Sequence, residues 1–244
     1  MSARVTLATA GRVLRQLRRD RRTIALVLVV PPVLLALFKY VFDGQPQTFD
    51  RIGPTLVGIF PFVTMFLVTS IAMLRERTTG TLERLMSMPL AKLDLLLGYG
   101  LAFALVAAVQ AGVTAAVGFG ALGLDTAGPV WLVLVLAVGN ALLGMSLGLF
   151  LSAFARTEFQ AVQFMPAFVL PQIFLAGLLV PRERMAHALE VFSNFLPLTY
   201  AYDALAKATS DELGARLAFD AAVVGGCIVL ALVLGATTLR RQTP

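Results

Sequence analysis

Along the chain, apolar positions gather into six runs, at 23–42, 52–74, 95–118, 130–154, 161–180 and 217–239. Each is close to the roughly 20 residues that an α-helix needs to cross a bilayer. The pattern predicts an all-α, polytopic membrane protein with six transmembrane helices. Ahead of the first run, Val5, Leu7, Ala8, Val13, Leu14 and Leu17 alternate with arginines at roughly helical spacing. That predicts an amphipathic surface helix over 1–22; a basic tail that only sets topology is the alternative. The first run ends in Asp43-Gly44-Gln45-Pro46 rather than at a small-residue cleavage site, so it is expected to be retained, with a kink at Pro31-Pro32. Two polar segments interrupt the apolar pattern: a charged loop at 75–94 and a mixed insertion at 181–216 before the last run. No repeat relates the two halves and no linker divides them, so 1–244 reads as a single transmembrane domain.

Composition removes the main alternative. The chain has 58% hydrophobic and 14% charged residues and a mean hydropathy of +0.84. Soluble domains carry about 25% charged residues, so a water-soluble catalytic domain of this size is excluded. The formal charge of +6 is informative through its distribution. With the N-terminus inside, fourteen of the 20 Lys and Arg fall on the inner side, giving +9 there and −3 outside. This positive-inside asymmetry places both termini in the cytoplasm, at the inner membrane, and accounts for the basic balance without nucleic acid. One cysteine and one histidine exclude an internal disulfide and a cysteine-built zinc site, and argue against imidazole-held metals.

Within the runs, no Asp, Glu, His or Arg lies near a centre, which removes the usual hardware of an ion-coupled pump. Lys39, near an outer end, can snorkel. Gln110, Asn140, Gln163 and Gln172 read as helix–helix contacts rather than cargo ligands. Pro166 and Pro171, five apart with Gly177 beyond, allow the fifth helix to bend; a path-lining helix and a fixed kink both remain open. Gly144 and Gly148 form a GxxxG that arises easily by chance among 20 glycines, and no dimer interface is assigned to it. His187 reads as a surface residue and Cys227 as packing. In the charged loop, Thr81 to Met88 can form a short helix stopped by Pro89, with Leu82, Leu85 and Met86 on one face and Glu83 and Arg84 beside them. Such a helix suits a groove in a partner; a solvated loop fits the residues equally well. In the insertion, Met185, Leu189, Val191, Phe192, Phe195 and Leu196 supply an apolar surface, while Arg182, Glu183, Arg184, Glu190 and Asp203 are expected to stay wet.

The stretch Arg75-Glu76-Arg77-Thr78-Thr79-Gly80-Thr81-Leu82-Glu83 followed by Met88-Pro89 resembles the permease subunit of type-2 ABC exporters, of the daunorubicin-resistance kind. Leu175-Ala176-Gly177-Leu178-Leu179-Val180-Pro181 and Leu196-Pro197-Leu198-Thr199-Tyr200-Ala201-Tyr202-Asp203-Ala204-Leu205 continue the resemblance. The family often has Ser at the position of Ala176. Three motifs in order, with six spans, extend the likeness over essentially the whole chain.

The resemblance implies a transport subunit that is not itself an enzyme. No G-x-x-x-x-G-K-S/T phosphate loop occurs, so the chain binds no cofactor of this kind, and ATP and magnesium would be used by a separate ATPase. By resemblance, the coupling contact to that ATPase comprises Glu76, Gly80, Thr81, Leu82, Glu83, Arg84, Leu85, Met86 and Pro89, with the N-terminal helix as a second contact. The insertion would dip into the outer leaflet as a gate marked by Pro181, Phe192, Phe195, Pro197 and Tyr200. Pro166, Pro171 and Gly177 would mark a path-lining helix. The expected partners are two ATPase chains, a second permease, identical or homologous, and membrane lipids. The cargo would be amphipathic, a drug-like or lipid-like molecule. A self-sufficient secondary transporter or channel is the rival, and a membrane-embedded lipid-modifying enzyme stands behind it.

Overall fold

The computed structural model describes residues 3–81 and 92–238. Among them the regular structure is all helical, in the order α1 (Ala3–Arg19), α2 (Arg21–Val41), α3 (Pro46–Thr78), α4 (Lys92–Ala115), α5 (Val130–Leu151), α6 (Glu158–Phe164, continued through Met165–Val169 to Leu170–Leu175), α7 (His187–Ser193), α8 (Pro197–Thr209) and α9 (Ala215–Thr238). Among the described residues, five helices are long and apolar enough to cross a membrane. The remaining run, the fifth, is α6, whose middle widens into a π turn at Met165–Val169, on either side of which ordinary α geometry resumes.

The helices α3 and α5 form the centre of the bundle, and glycine sets their separation. A Cβ on Gly144 would lie 2.1 Å from the Phe62 carbonyl oxygen, and one on Gly148 would lie 2.5 Å from that of Phe66. At this close approach two hydroxyls reach across the interface: Thr69 Oγ1 shares its proton between the Met65 carbonyl of its own helix at 2.6 Å and the Met145 carbonyl at 3.2 Å, and Ser70 Oγ donates to that of Gly148 at 3.1 Å. The GxxxG pair therefore packs inside the chain. Around this core, α2 and α4 pack on α3, α9 packs on α5 and α8, and α1 lies along α4.

Several elements depart from the apolar pattern for identifiable reasons. At Pro31 and Pro32, α2 runs on without ending, as membrane helices permit where neighbours re-satisfy the backbone. Its start is held by Asp20, whose carboxylate accepts from the Thr23 amide at 3.1 Å and the Thr23 hydroxyl at 2.7 Å. The second run, 52–74, underestimates α3 at both ends, because Pro46 opens the helix and polar residues through Thr78 continue it. The fifth run overestimates α6: the helix ends at Leu175, Ala176 caps it, and Gly177 turns the chain with φ +102°. Lys39, near the end of α2, reaches with its ammonium to the Leu122 carbonyl beyond the π turn that ends α4.

The face of α1 follows expectation in its second half, where Val13 is buried and Leu14 and Leu17 pack on the core, and differs in its first half. Leu7 is 62% exposed and Ala8 is exposed, whereas Thr9, Ala10 and Val13 are buried. The small face is chosen because Gly98 leaves a groove on α4, where a Cβ would lie 2.5 Å from Thr9 Cβ. The amphipathic helix is thus docked on protein, along small residues in its first half and along Val13, Leu14 and Leu17 in its second.

Candidate functional site

Two polar clusters lie at opposite ends of the bundle. At the basic end, α1, the end of α3 and the start of α4 meet around Glu76, which is 4% exposed. The Arg12 guanidinium lies 3.5 Å from Glu76 Oε2, donates to the Tyr99 hydroxyl and sits 5.7 Å above the centre of the Tyr99 ring. Tyr99 is 1% exposed and Asp94, a turn earlier, is also buried. A buried carboxylate without a cation would be costly, so this contact fastens α1 to two helices at once.

One residue earlier, Arg75 joins three elements. It grips Glu158 with two nitrogens, Nε at 2.7 Å and Nη2 at 3.2 Å, and its Nη1 lies 3.9 Å from Asp20 at the α1–α2 elbow. Arg75 holds the Glu158 carboxyl below its usual range, and the bonds from Thr23 do the same for Asp20. Glu158 opens α6 beside a reciprocal cap, in which the Gln160 amide donates to Thr157 Oγ1 and Gln160 Oε1 accepts from the Arg156 amide. Beyond Glu76 the chain turns at Gly80, φ +69°. Of the sequence-predicted coupling residues, Glu76 is turned inward, Gly80 lies in the turn, Thr81 follows it, and Leu82, Glu83, Arg84, Leu85, Met86 and Pro89 lie outside the described residues.

At the other end, the segment after Gly177 folds into a short turn opened by Pro181, then α7 and α8, with Pro197 as the first residue of α8. Phe192 and Phe195 stand out at 52% and 78% exposure, and His187 is exposed beside Glu190. Tyr200 is held: its hydroxyl donates to the Asn194 carbonyl at 2.9 Å and its ring meets Phe219 edge-on. Asp203 is not wet. It takes a 2.5 Å bond from Arg182 Nη2 and is largely enclosed. Burial pushes its carboxyl up, against the pull of Arg182 and Lys207. Lys207 in turn is bonded to the buried Asp220 of α9, so the insertion is locked to the last helix. Pro166 and Pro171 lie on the exposed side of α6, while Gln172, facing inward, accepts from the Leu198 amide at 3.4 Å and joins α6 to α8.

Sequence reasoning missed Arg12, Tyr99, Asp20, Glu158 and Lys207 as partners. Tyr99 alone left a signal, a phenol in an otherwise apolar run. Gln110 behaves as expected of a helix contact, donating to Thr64 across α4 and α3.

The fold is that of a multi-pass helical membrane protein whose ion-paired side chains gather at the two ends of the bundle. The sequence model of the ABC-2 type transporter family matches residues 4–209, and the chain belongs to that family. It is 28% identical over 164 residues to ABC transporter G family member 20 of Dictyostelium discoideum, a match covering 66% of this chain and 22% of that protein. It is 29% identical over 150 residues to the probable multidrug ABC transporter permease YbhR of Escherichia coli, covering 62% of this chain and 41% of that one. The chain thus spans less than half the length of these curated relatives.

Proposed function

We propose that the chain is the permease half of an ATP-driven exporter, paired with a second permease and driven by two separate ATPase chains that use ATP and magnesium. On this reading the basic end faces the cytoplasm of the inner membrane, as the charge distribution favours, and segment 76–89 receives the ATPase. The observation that carries the reading is the Arg75–Glu76 junction, where this segment departs. Glu76 is clamped by Arg12 of α1, and Arg75 is clamped to Glu158 of α6. A push on the segment is therefore delivered to the elbow of α1 and α2 and to the start of the interrupted helix α6. The far end of α6 leads through Gly177 into the insertion, which acts as the outer gate, with Phe192 and Phe195 in the outer leaflet. Glu76 works as an internal tie, and Leu82, Leu85 and Met86 enter the ATPase cleft. The cargo is amphipathic, drug-like or lipid-like; the name of the multidrug relative supports this.

The test is Leu85→Asp, which puts a charge into an apolar cleft. Membrane insertion should persist while transport-coupled ATP hydrolysis collapses. Normal coupled transport by this variant would remove Leu85 from the mechanism.

A further inference from the structure

A cavity lies at the end of the bundle away from the coupling segment. It has a volume of 530 Å³ and lies between the start of α3, the loop at 122–129, the Gly177 turn and α8. Asp50, Arg51 and Asp125 line it, and none of them is in an ion pair among the described residues. Asp50 and Arg51 are consecutive on a helix, so their side chains diverge and cannot neutralise each other easily. The Asp125 backbone lies beside the Asp50 carboxylate, its amide reaching Asp50 Oδ1 at 3.5 Å, while the Asp125 carboxylate accepts from the Thr126 amide at 2.8 Å. Thr55, 2% exposed, lines the same cavity, and its hydroxyl has no hydrogen-bond partner among the described residues. Tyr202 closes one wall, close enough to Arg51 for the two to interact electrostatically.

The walls are built rather than draped. The Thr209 carbonyl at the end of α8 accepts from the amides of Ala127 and Gly128 and from the Thr126 hydroxyl, at 3.1, 3.3 and 3.0 Å. On the other side Leu124 fills the space left by Gly53, where a Cβ would lie 2.3 Å from Leu124 Cδ2. The loop carrying Asp125 is thereby pinned to both α3 and α8.

We propose that this cavity binds a phosphoethanolamine headgroup. Its primary ammonium sits between Asp50 and Asp125 and donates to both. Its phosphate takes the Arg51 guanidinium, which suits a two-point contact with oxyanions, and the Thr55 hydroxyl donates to an oxygen of the same group. Separated, unpaired charges of both signs select a zwitterion over a purely anionic or cationic ligand. The requirement for N–H donors selects ethanolamine over its trimethylated counterpart, choline. The site stands whether or not the ATP-driven reading holds, because every group in it belongs to this chain.

The test is native mass spectrometry of the full chain released from detergent micelles. It is titrated with dioleoyl phosphatidylethanolamine, with dioleoyl phosphatidylcholine and with soluble glycerophosphoethanolamine. We expect the ethanolamine lipid to be retained at least tenfold better than the choline lipid. The double substitution Asp50→Asn with Asp125→Asn should erase that preference. Arg51→Gln, on an exposed residue whose loss leaves the fold intact, should weaken ethanolamine-lipid retention several-fold, and so should Thr55→Val. Competition by glycerophosphoethanolamine would identify the free headgroup as sufficient, and its failure to compete would identify the membrane lipid as the source; either supports the site. Equal retention of the two lipids, or a preference that survives the double substitution, would overturn it.

Discussion

Gly144→Ala tests the packing on which the whole bundle depends. The new Cβ would lie 2.1 Å from the Phe62 carbonyl oxygen and 2.9 Å from its carbon, both backbone atoms that cannot swing aside. Carbon and oxygen in contact rest at about 3.3 Å, so α3 and α5 must part by roughly 1 Å. Within little more than a turn of this point stand the two crossing hydroxyl bonds, Thr69 to Met145 at 3.2 Å and Ser70 to Gly148 at 3.1 Å. Lengthened by that amount, neither remains a hydrogen bond. Interhelical polar contacts in membrane proteins are worth about 0.6 kcal/mol each, and overpacking adds about 1–3 kcal/mol. The expected loss is therefore about 2–4 kcal/mol. It is read by reversible denaturation in mixed micelles, with Gly139→Ala on the same helix as the control. A Cβ on Gly139 meets nothing within 4 Å, and alanine is the better helix former, so this control should be neutral or slightly stabilised. If Gly144→Ala were as stable as Gly139→Ala, the close crossing would be wrong. If it changed only self-association, the glycine pair would belong between chains instead.

Other contacts make equally specific demands. Glu76→Ala leaves the Arg12 guanidinium without its carboxylate and should cost about 1–3 kcal/mol, seen as release of α1 to limited proteolysis. Gly98→Leu should release the same helix by filling the groove that Thr9 occupies. For pH the sign is set by direction. The Asp20 and Glu158 carboxyls are held low, so their contribution is complete above about pH 4, the unfolded value, and is lost as pH falls through their folded values. Both are well exposed, so the effect is within about 1 kcal/mol, and Asp20→Asn with Glu158→Gln should flatten an acid unfolding curve. Asp203 runs the opposite way. Burial raises it, so its contribution declines as pH rises above about 4. Arg182→Leu should raise it further and loosen the insertion, detected by hydrogen exchange in α8. Gly177→Ala forces φ +102° on a residue with a Cβ and should cost about 1–3 kcal/mol, with the same loosening.

Most of the architecture was legible because membrane spans announce themselves. Six apolar runs locate α2, α3, α4, α5, α6 and α9, and their errors fall where something other than hydropathy decides. Polar Arg75 to Thr78 stay helical because hydroxyls of Thr78 and Thr79 satisfy the Arg75 carbonyl at 3.2 and 2.7 Å. The end of α6 comes early because Gly177 adopts a left-handed turn that hydropathy does not register. In α1 the apolar count favoured Leu7, but the missing Cβ of Gly98 decided which face docks. The polar clusters were less legible than the spans. Arg12 meets Glu76 across 64 positions and Tyr99 across 87, and no local spacing encodes such a pairing. Glu76 belongs by its motif to a partner contact, and its burial against Arg12 is a feature that no motif encodes.

The central claim is that the chain is moved by ATP hydrolysed on another polypeptide. The most direct measurement is gentle extraction of the tagged chain from its own host, with the co-purifying chains identified and counted and their ATP hydrolysis assayed. The account predicts one phosphate-loop ATPase per permease, with hydrolysis that responds to Leu85→Asp. Repeated recovery of this chain alone, still transporting in response to an ion gradient, would contradict it.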